Sequence, residues 1–297
     1  VNAPRALELA ELQQELARAG YIADPPLAAA LLLMHDLQRP LLLEGDAGVG
    51  KTEVAKVLAQ TRNARLIRLQ CYEGLDAHSA MYEWNYQRQL LAIKLLEHDE
   101  RGLQQKEQDI FSERYLLKRP LLEAITGDAP PVLLIDEIDR ADEAFEAYLL
   151  ELLSDFQLSI PELGTVHATH RPWVVITSNG TRELSDALRR RCLYHYIDYP
   201  DYDKELAIVR KKAPDIAPRL AQQIVGFVQG VRGMELQKRP GIAETLDWAA
   251  ALLRLDITTL DSDGAERIVQ TLSALIKTRD DRAAFPRDVV ARLAAAC

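Results

Sequence analysis

The chain has 297 residues, 48% hydrophobic and 27% charged, with 14 Gly, 14 Pro and 3 Cys. That balance excludes a disordered, fibrous or disulfide-stapled protein, and the length supports one large or two smaller domains with a sizeable core. The net charge is −9 and the acidic excess lies entirely in residues 1–200, so the basic field that nucleic-acid binding needs is missing globally, although a local basic stripe in a pore stays open.

Residues 5–20 carry apolar side chains at helical spacing and stop at Gly20, a natural helix terminator. A second helix is expected over residues 27–37. The longest strongly apolar stretch, residues 25–34, is fenced by Asp24 and by His35 and Asp36. It falls far short of the ~20 residues of a membrane helix, so no membrane span is expected. No basic stretch followed by an apolar run opens the sequence, so no signal peptide is expected. Cys71, Cys192 and Cys297 form no CxxC pair. They predict neither a zinc site nor a disulfide framework, and point to a reducing compartment, the cytoplasm.

After Pro40 the period changes. Leu41, Leu42 and Leu43 read as a buried parallel strand. Gly45, Asp46, Ala47, Gly48, Val49, Gly50, Lys51 and Thr52 then fit GxxxxGK[ST] at every fixed position. Glycines let backbone N–H groups turn inward around phosphate oxygens, and a following helix adds the positive end of its dipole. Lys51 is predicted to reach the β- and γ-phosphates of ATP, and the Thr52 hydroxyl to ligate Mg²⁺. A glycine-rich turn that binds nothing is the bland alternative. The flanking strand and the helix expected over residues 51–60 argue against it.

A second strand is expected over residues 65–70. Residues 71–131 look mostly helical, with a highly polar middle at 98–108. Val132, Leu133, Leu134 and Ile135 form another buried strand that delivers Asp136 and Glu137 at its end, where α/β sheets bind ligands. Asp136 is predicted to hold the Mg²⁺ shell and Glu137 to polarise the attacking water as general base. Acidic pairs at strand ends also serve as plain helix caps; following the glycine loop, this one reads as chemistry. A helix is expected over 144–153 and a hairpin over 156–169, turning at Pro161 to Gly164.

Residues 173–177 are the next strand, ending near Asn179. Beside the Asp136 strand, Asn179 would orient the water; alternatively Asn179 and Gly180 are a simple turn dipeptide. A short helix over 184–191 ends in Arg189, Arg190 and Arg191, spaced about 100° apart. One of the three could reach a neighbouring subunit and stabilise the transferring phosphoryl group. A solvated basic helix end is the equal alternative for each. A last strand follows at 194–197. Beyond residue 200 only helical spacing remains, over 206–212, 217–231, 242–255 and 265–277. The chain therefore divides into an α/β core, residues 1–200 with an insert at about 71–131, and a helical domain, residues 201–297.

With these residues in place the sequence resembles an AAA+ ATPase from about Gly20 to the C-terminus. GDAGVGKT, LLIDEIDRA, the ITSNG strand end and ALRRRC before a helical region carry the resemblance. Within that superfamily it resembles the MoxR group. PLLLEGDAGVGKTEVAKVLA, the hairpin before the Asn179 strand and the long helical insert carry this, the insert resembling the helix-2-insert clade. LIRLQCYEGLDAHSAMYEWNYQRQLL and KRPGIAETLDWAAAL resemble the CoxD-type branch, associated with maturing carbon monoxide dehydrogenase-type molybdenum hydroxylases.

The resemblance implies a P-loop NTPase fold, a three-layer core with a parallel sheet followed by a small all-helical lid. It implies Mg²⁺-dependent ATP hydrolysis, with Asp136 and Glu137 as the Walker B pair and Asn179 as sensor 1. Arg191 becomes the first choice for the finger and Arg189 the second. Tyr21 and Ile22 fall where adenine is usually touched. Arg239 is the candidate for sensor 2, although it precedes Pro240 where many MoxR relatives have the arginine after the proline. The implied partners are further copies of the chain in a hexameric ring, a protein with a von Willebrand factor A domain, and a metalloenzyme client. Tyr82, Trp84 and Tyr86, within residues 73–89, and the 156–169 hairpin are candidate client contacts. A nucleic-acid motor or clamp-loader-like ATPase is the competing class, because RRRC also resembles clamp-loader fingers; an ATP-binding scaffold without turnover is the third.

Overall fold

The computed structural model describes residues 3–95, 102–261 and 264–297. Contacts divide the chain into two compact units. One comprises Pro26–Glu44 and Leu58–His195; the other comprises the residues up to Pro25, Gly45–Val57 and Tyr196–Cys297.

The first unit is built on a sheet of five strands. These are β1 (Leu41–Glu44), β2 (Leu66–Gln70), β5 (Val132–Asp136), β8 (Trp173–Ser178) and β9 (Leu193–Tyr196), in the order β2-β5-β8-β1-β9. The pairs β2/β5, β5/β8 and β1/β8 are parallel. All of β5 is buried, which is why its sequence is a continuous apolar run rather than an alternation. Register places Gln70 opposite Asp136, Ile135 opposite Ile176 and Glu44 opposite Ser178. The four parallel strands therefore end along one edge of the sheet.

The helix Glu143–Asp155 starts where Asp142 accepts the Phe145 N–H, and stops where Phe156 turns left-handed at φ 51°. The expected hairpin follows as β6 (Gln157–Ile160) paired antiparallel with β7 (Gly164–His167). The 71–131 insert contains helices Ala77–Met81, Tyr86–Leu95, Leu103–Ile110 and Pro120–Ile125. It also contains an antiparallel pair absent from the sequence reading, β3 (Tyr82–Trp84) and β4 (Leu116–Lys118). Three residues are too few for a period of two to show. Part of the polar stretch at 98–108, residues 98–101, lies outside the described residues.

The second unit carries its own core, formed by helices Tyr202–Lys212, Pro218–Arg232, Ile242–Arg254, Ala265–Thr271, Arg279–Ala283 and Arg287–Ala295. Trp248, fully buried, packs on Phe227 with ring centroids 4.9 Å apart and donates its indole N–H to the Thr271 hydroxyl at 2.8 Å. The helix expected over 265–277 ends at Thr271. Successive turns then bring Leu275 and Ile276 into the core, so burial overrides helical propensity. Beneath this core Arg232 donates to both oxygens of Glu205, at 2.6 and 2.7 Å, and its Nε–H donates to the Pro240 carbonyl at 2.7 Å. Thr245 donates to Glu205 as well, at 2.8 Å. Both charges are buried and fully engaged, the condition under which a buried ion pair is tolerated.

Candidate functional site

The loop 45–50 links β1 to the helix Lys51–Thr61. Gly48 has φ +80°, and a Cβ there would come within 3.3 Å of the Gly241 Cα. Gly241 is the reciprocal case, because a Cβ on it would meet the Gly48 carbonyl carbon at 2.7 Å. The Gly48 carbonyl accepts the Ile242 N–H at 2.9 Å, and the Glu244 carboxylate caps the Gly241 N–H at 2.9 Å. The loop thus leans on the start of the helix Ile242–Arg254. The Lys51 ammonium is buried and donates to the carbonyls of Gly45 and Asp46 at 2.6 and 2.7 Å. It is held inside the loop's curve, where a phosphate would sit. Tyr21 lies beside Gly50; its phenol pKa is raised by burial, then by the Asp24 and Glu53 carboxylates. Ile22 is partly buried beside it in sequence, and Arg239 is exposed.

Tyr199, which carries no motif, belongs to the same surroundings. Burial, and then the Asp46 carboxylate beside it, push its phenol up to about 12. The Arg232 guanidinium lies over its ring, 5.1 Å from the centroid.

At the sheet edge of the first unit, Asp136 is 3% exposed. Its Oδ1 accepts from the Thr177 hydroxyl at 2.5 Å, and its Oδ2 accepts from Nε and Nη2 of Arg68 at 3.0 and 2.6 Å. Glu137 is left-handed, φ 56° and ψ 52°, and its N–H donates to Thr177 Oγ1 at 2.9 Å. This uncommon backbone for a long side chain turns Glu137 off the strand line. Its Oε2 accepts from Gln70 at 3.0 Å and pairs with Arg140 at 3.2 Å.

Asp139 is buried and accepts the backbone N–H of Asn179 at 3.1 Å and both the N–H and the hydroxyl of Thr181. Burial works to raise its pKa, but the Thr181 and Asn179 donors outweigh it and hold the carboxyl below its usual value. Asp139 therefore pins the turn that presents Asn179. Burial and the surrounding carboxylates push the Cys71 thiol up to about 12, which makes it inert rather than nucleophilic. A carboxylate oxygen suits a hard divalent cation, and the Arg68 guanidinium is the positive partner that Asp136 already holds.

The helix Asp186–Arg191 is capped by Ser185. Arg191 donates to the Ser154 hydroxyl and to the Ala187 carbonyl. Arg189 approaches Glu44 at 3.7 Å. Arg190 is the exposed one of the three. Of the proposed client-contacting aromatics, Tyr82 and Trp84 are buried at 3% and 6% and correct that expectation; Trp84 stacks edge-on against Phe111 at 5.4 Å. Tyr86 is 65% exposed. Sequence reasoning missed Arg68, Gln70, Thr177 and Tyr199. Arg68 and Gln70 alternate on a strand edge, a signal indistinguishable from ordinary solvated positions.

The AAA domain (dynein-related subfamily) matches residues 40–192. An uncharacterized protein of Staphylococcus saprophyticus is 28% identical over 257 residues, covering 84% of this chain and 88% of that protein. A Staphylococcus epidermidis protein, also uncharacterized, is 27% identical with the same coverage. Among solved structures, a mutant of Thermotoga maritima RuvB gives a TM-score of 0.48 at 18% identity, covering 92% of this chain and 72% of that one. No helix among the described residues is long and apolar enough to cross a membrane.

Proposed function

We propose, from the premise that this chain belongs to the AAA domain family (dynein-related subfamily) and is an ATP hydrolase, that it is a MoxR-like remodelling ATPase working as a ring. One observation carries the reading: β5 ends at Asp136, followed by Glu137, at the same sheet edge at which β1 ends, since β8 pairs with both, Ile135 opposite Ile176 and Glu44 opposite Ser178, and Gly45 follows Glu44 directly. Loop amides and Lys51 hold the triphosphate. Thr52 and Asp136 hold Mg²⁺, which when bound neutralises charge on the transferring phosphoryl group. Glu137 takes the proton of the attacking water, and Asn179 orients that water. Tyr21, Ile22 and Arg239 complete the nucleotide contacts.

An arginine from Arg189, Arg190 or Arg191 reaches the neighbouring copy's nucleotide. A closed ring, hexameric by resemblance, satisfies this head-to-tail contact without a free end. Hydrolysis moves residues 201–297 against residues 1–200 and so reshapes a client, which by resemblance is a molybdenum hydroxylase served with a von Willebrand factor A domain partner. The cytoplasm is the compartment, in keeping with three free thiols.

The test is a Glu137→Gln trap. It is expected to bind ATP, persist as a large ring and retain client and partner on purification. A monomer under saturating ATP, with nothing retained, removes the remodelling reading. Strong DNA stimulation of turnover, against the acidic charge of the chain, moves the protein to the nucleic-acid motors.

A further inference from the structure

The carboxylate assigned to the metal is already held by a cation of the protein's own. Oδ2 of Asp136 receives two N–H donors from Arg68, at 3.0 and 2.6 Å, and Oδ1 receives the Thr177 hydroxyl. Two donors fill the two lone-pair directions of one carboxylate oxygen, so Oδ2 cannot serve a divalent cation or its water while Arg68 stays. A carboxylate only 3% exposed is costly to leave without a positive partner, which explains why the guanidinium is there.

Arg68 is nonetheless able to leave. Its side chain is 51% exposed, so water can solvate the guanidinium once it leaves, while the incoming cation takes over its role as the positive partner of the buried carboxylate. A second acceptor is at hand, because Nη2 also donates to Gln70 Oε1 at 2.5 Å. The guanidinium can therefore release Asp136 and remain anchored on β2.

We propose that Arg68 is a positioning residue that competes with the divalent cation for Asp136, so that cation entry and release of the guanidinium are one exchange. This keeps the carboxylate paired and oriented between catalytic cycles, and lowers cation affinity by the strength of the Arg68 contact. The proposal rests on the assignment of Asp136 to the cation.

The experiment is a Mn²⁺ titration of the full chain with ADP, read by the loss of free-Mn²⁺ electron paramagnetic resonance signal. Asp136→Asn, Arg68→Lys and Arg68→Ala are compared with the unaltered chain. Arg68→Lys keeps the charge but loses the two-donor grip, and is expected to tighten Mn²⁺ binding about threefold; Arg68→Ala, which also removes repulsion, about tenfold. Unchanged affinity in Arg68→Lys overturns the proposal even if Arg68→Ala binds more tightly, since charge alone explains the latter. Should Arg68→Ala not fold, Arg68→Lys decides. If Asp136→Asn binds Mn²⁺ as well as the unaltered chain, the cation assignment fails and takes the proposal with it; if Asp136→Asn loses binding while Arg68→Lys is unchanged, the proposal fails alone.

Discussion

Lys51 is buried with its ammonium on two carbonyls of its own loop, so its charge is pre-placed rather than recruited. Lys51→Ala is expected to abolish detectable ATP binding in calorimetry while the fold, followed by far-ultraviolet circular dichroism, persists. Glu137→Gln keeps the Gln70 and Thr177 contacts in shape but removes the base; turnover should fall about 10²- to 10⁴-fold with nucleotide affinity nearly intact. Asp139 makes a pH prediction. Its native pKa is depressed, so its stabilisation is present above the unfolded carboxyl value of about 3.9 and is lost as pH falls through the native one. The melting temperature should therefore fall more steeply below about pH 4 in the unaltered chain than in Asp139→Asn. That the glycine loop follows β1, and that Asp136 and Glu137 come at the end of β5, was legible in sequence because each stands directly after a local apolar run. Arg68, Thr177 and Tyr199 were not, because their partners lie 68, 41 and far more residues away.

Among the elements, the helix Ile242–Arg254 has the widest reach. Its first N–H groups engage Gly48 and its side chain Thr245 engages Glu205. Gly241→Ala would press a methyl against the Gly48 backbone. The expected effect is about 1–3 kcal/mol of overpacking strain, seen in calorimetry as weaker nucleotide binding. Arg232→Met strips the buried Glu205 of its counter-charge and should destabilise the fold by about 3–5 kcal/mol in urea unfolding. Strands β1, β2, β5, β8 and the β6–β7 hairpin were legible from apolar runs and turn residues. The β3–β4 pair, the shortened helix at Thr271 and the two last helices were not, since short elements and tertiary burial leave no period to read.

At the scale of the whole molecule, two hydrophobic cores form from consecutive stretches, Leu42–Cys192 and Leu206–Ala294, although the two compact units themselves interleave along the chain. The loop that follows β1 packs with residues 196–297, through Gly48 against Gly241. Three consecutive arginines end one helix, and Arg190 is the exposed member. Turnover measured against protein concentration should separate them: the variant that abolishes the rise in specific activity on assembly, with nucleotide affinity kept, is the one acting in trans. Nothing in a single sequence could choose among three adjacent arginines, whereas their differing partners in the fold make the three variants unequal.

The facing pair Gly48 and Gly241 bears on anyone who would shorten this protein. A fragment cut after residue 200 keeps every letter of the GDAGVGKT signature and yet discards the floor on which it stands, together with the Lys212 strut to Glu53. Such a truncation would look like a complete nucleotide-binding module on paper and behave in solution like a cradle with one side sawn off.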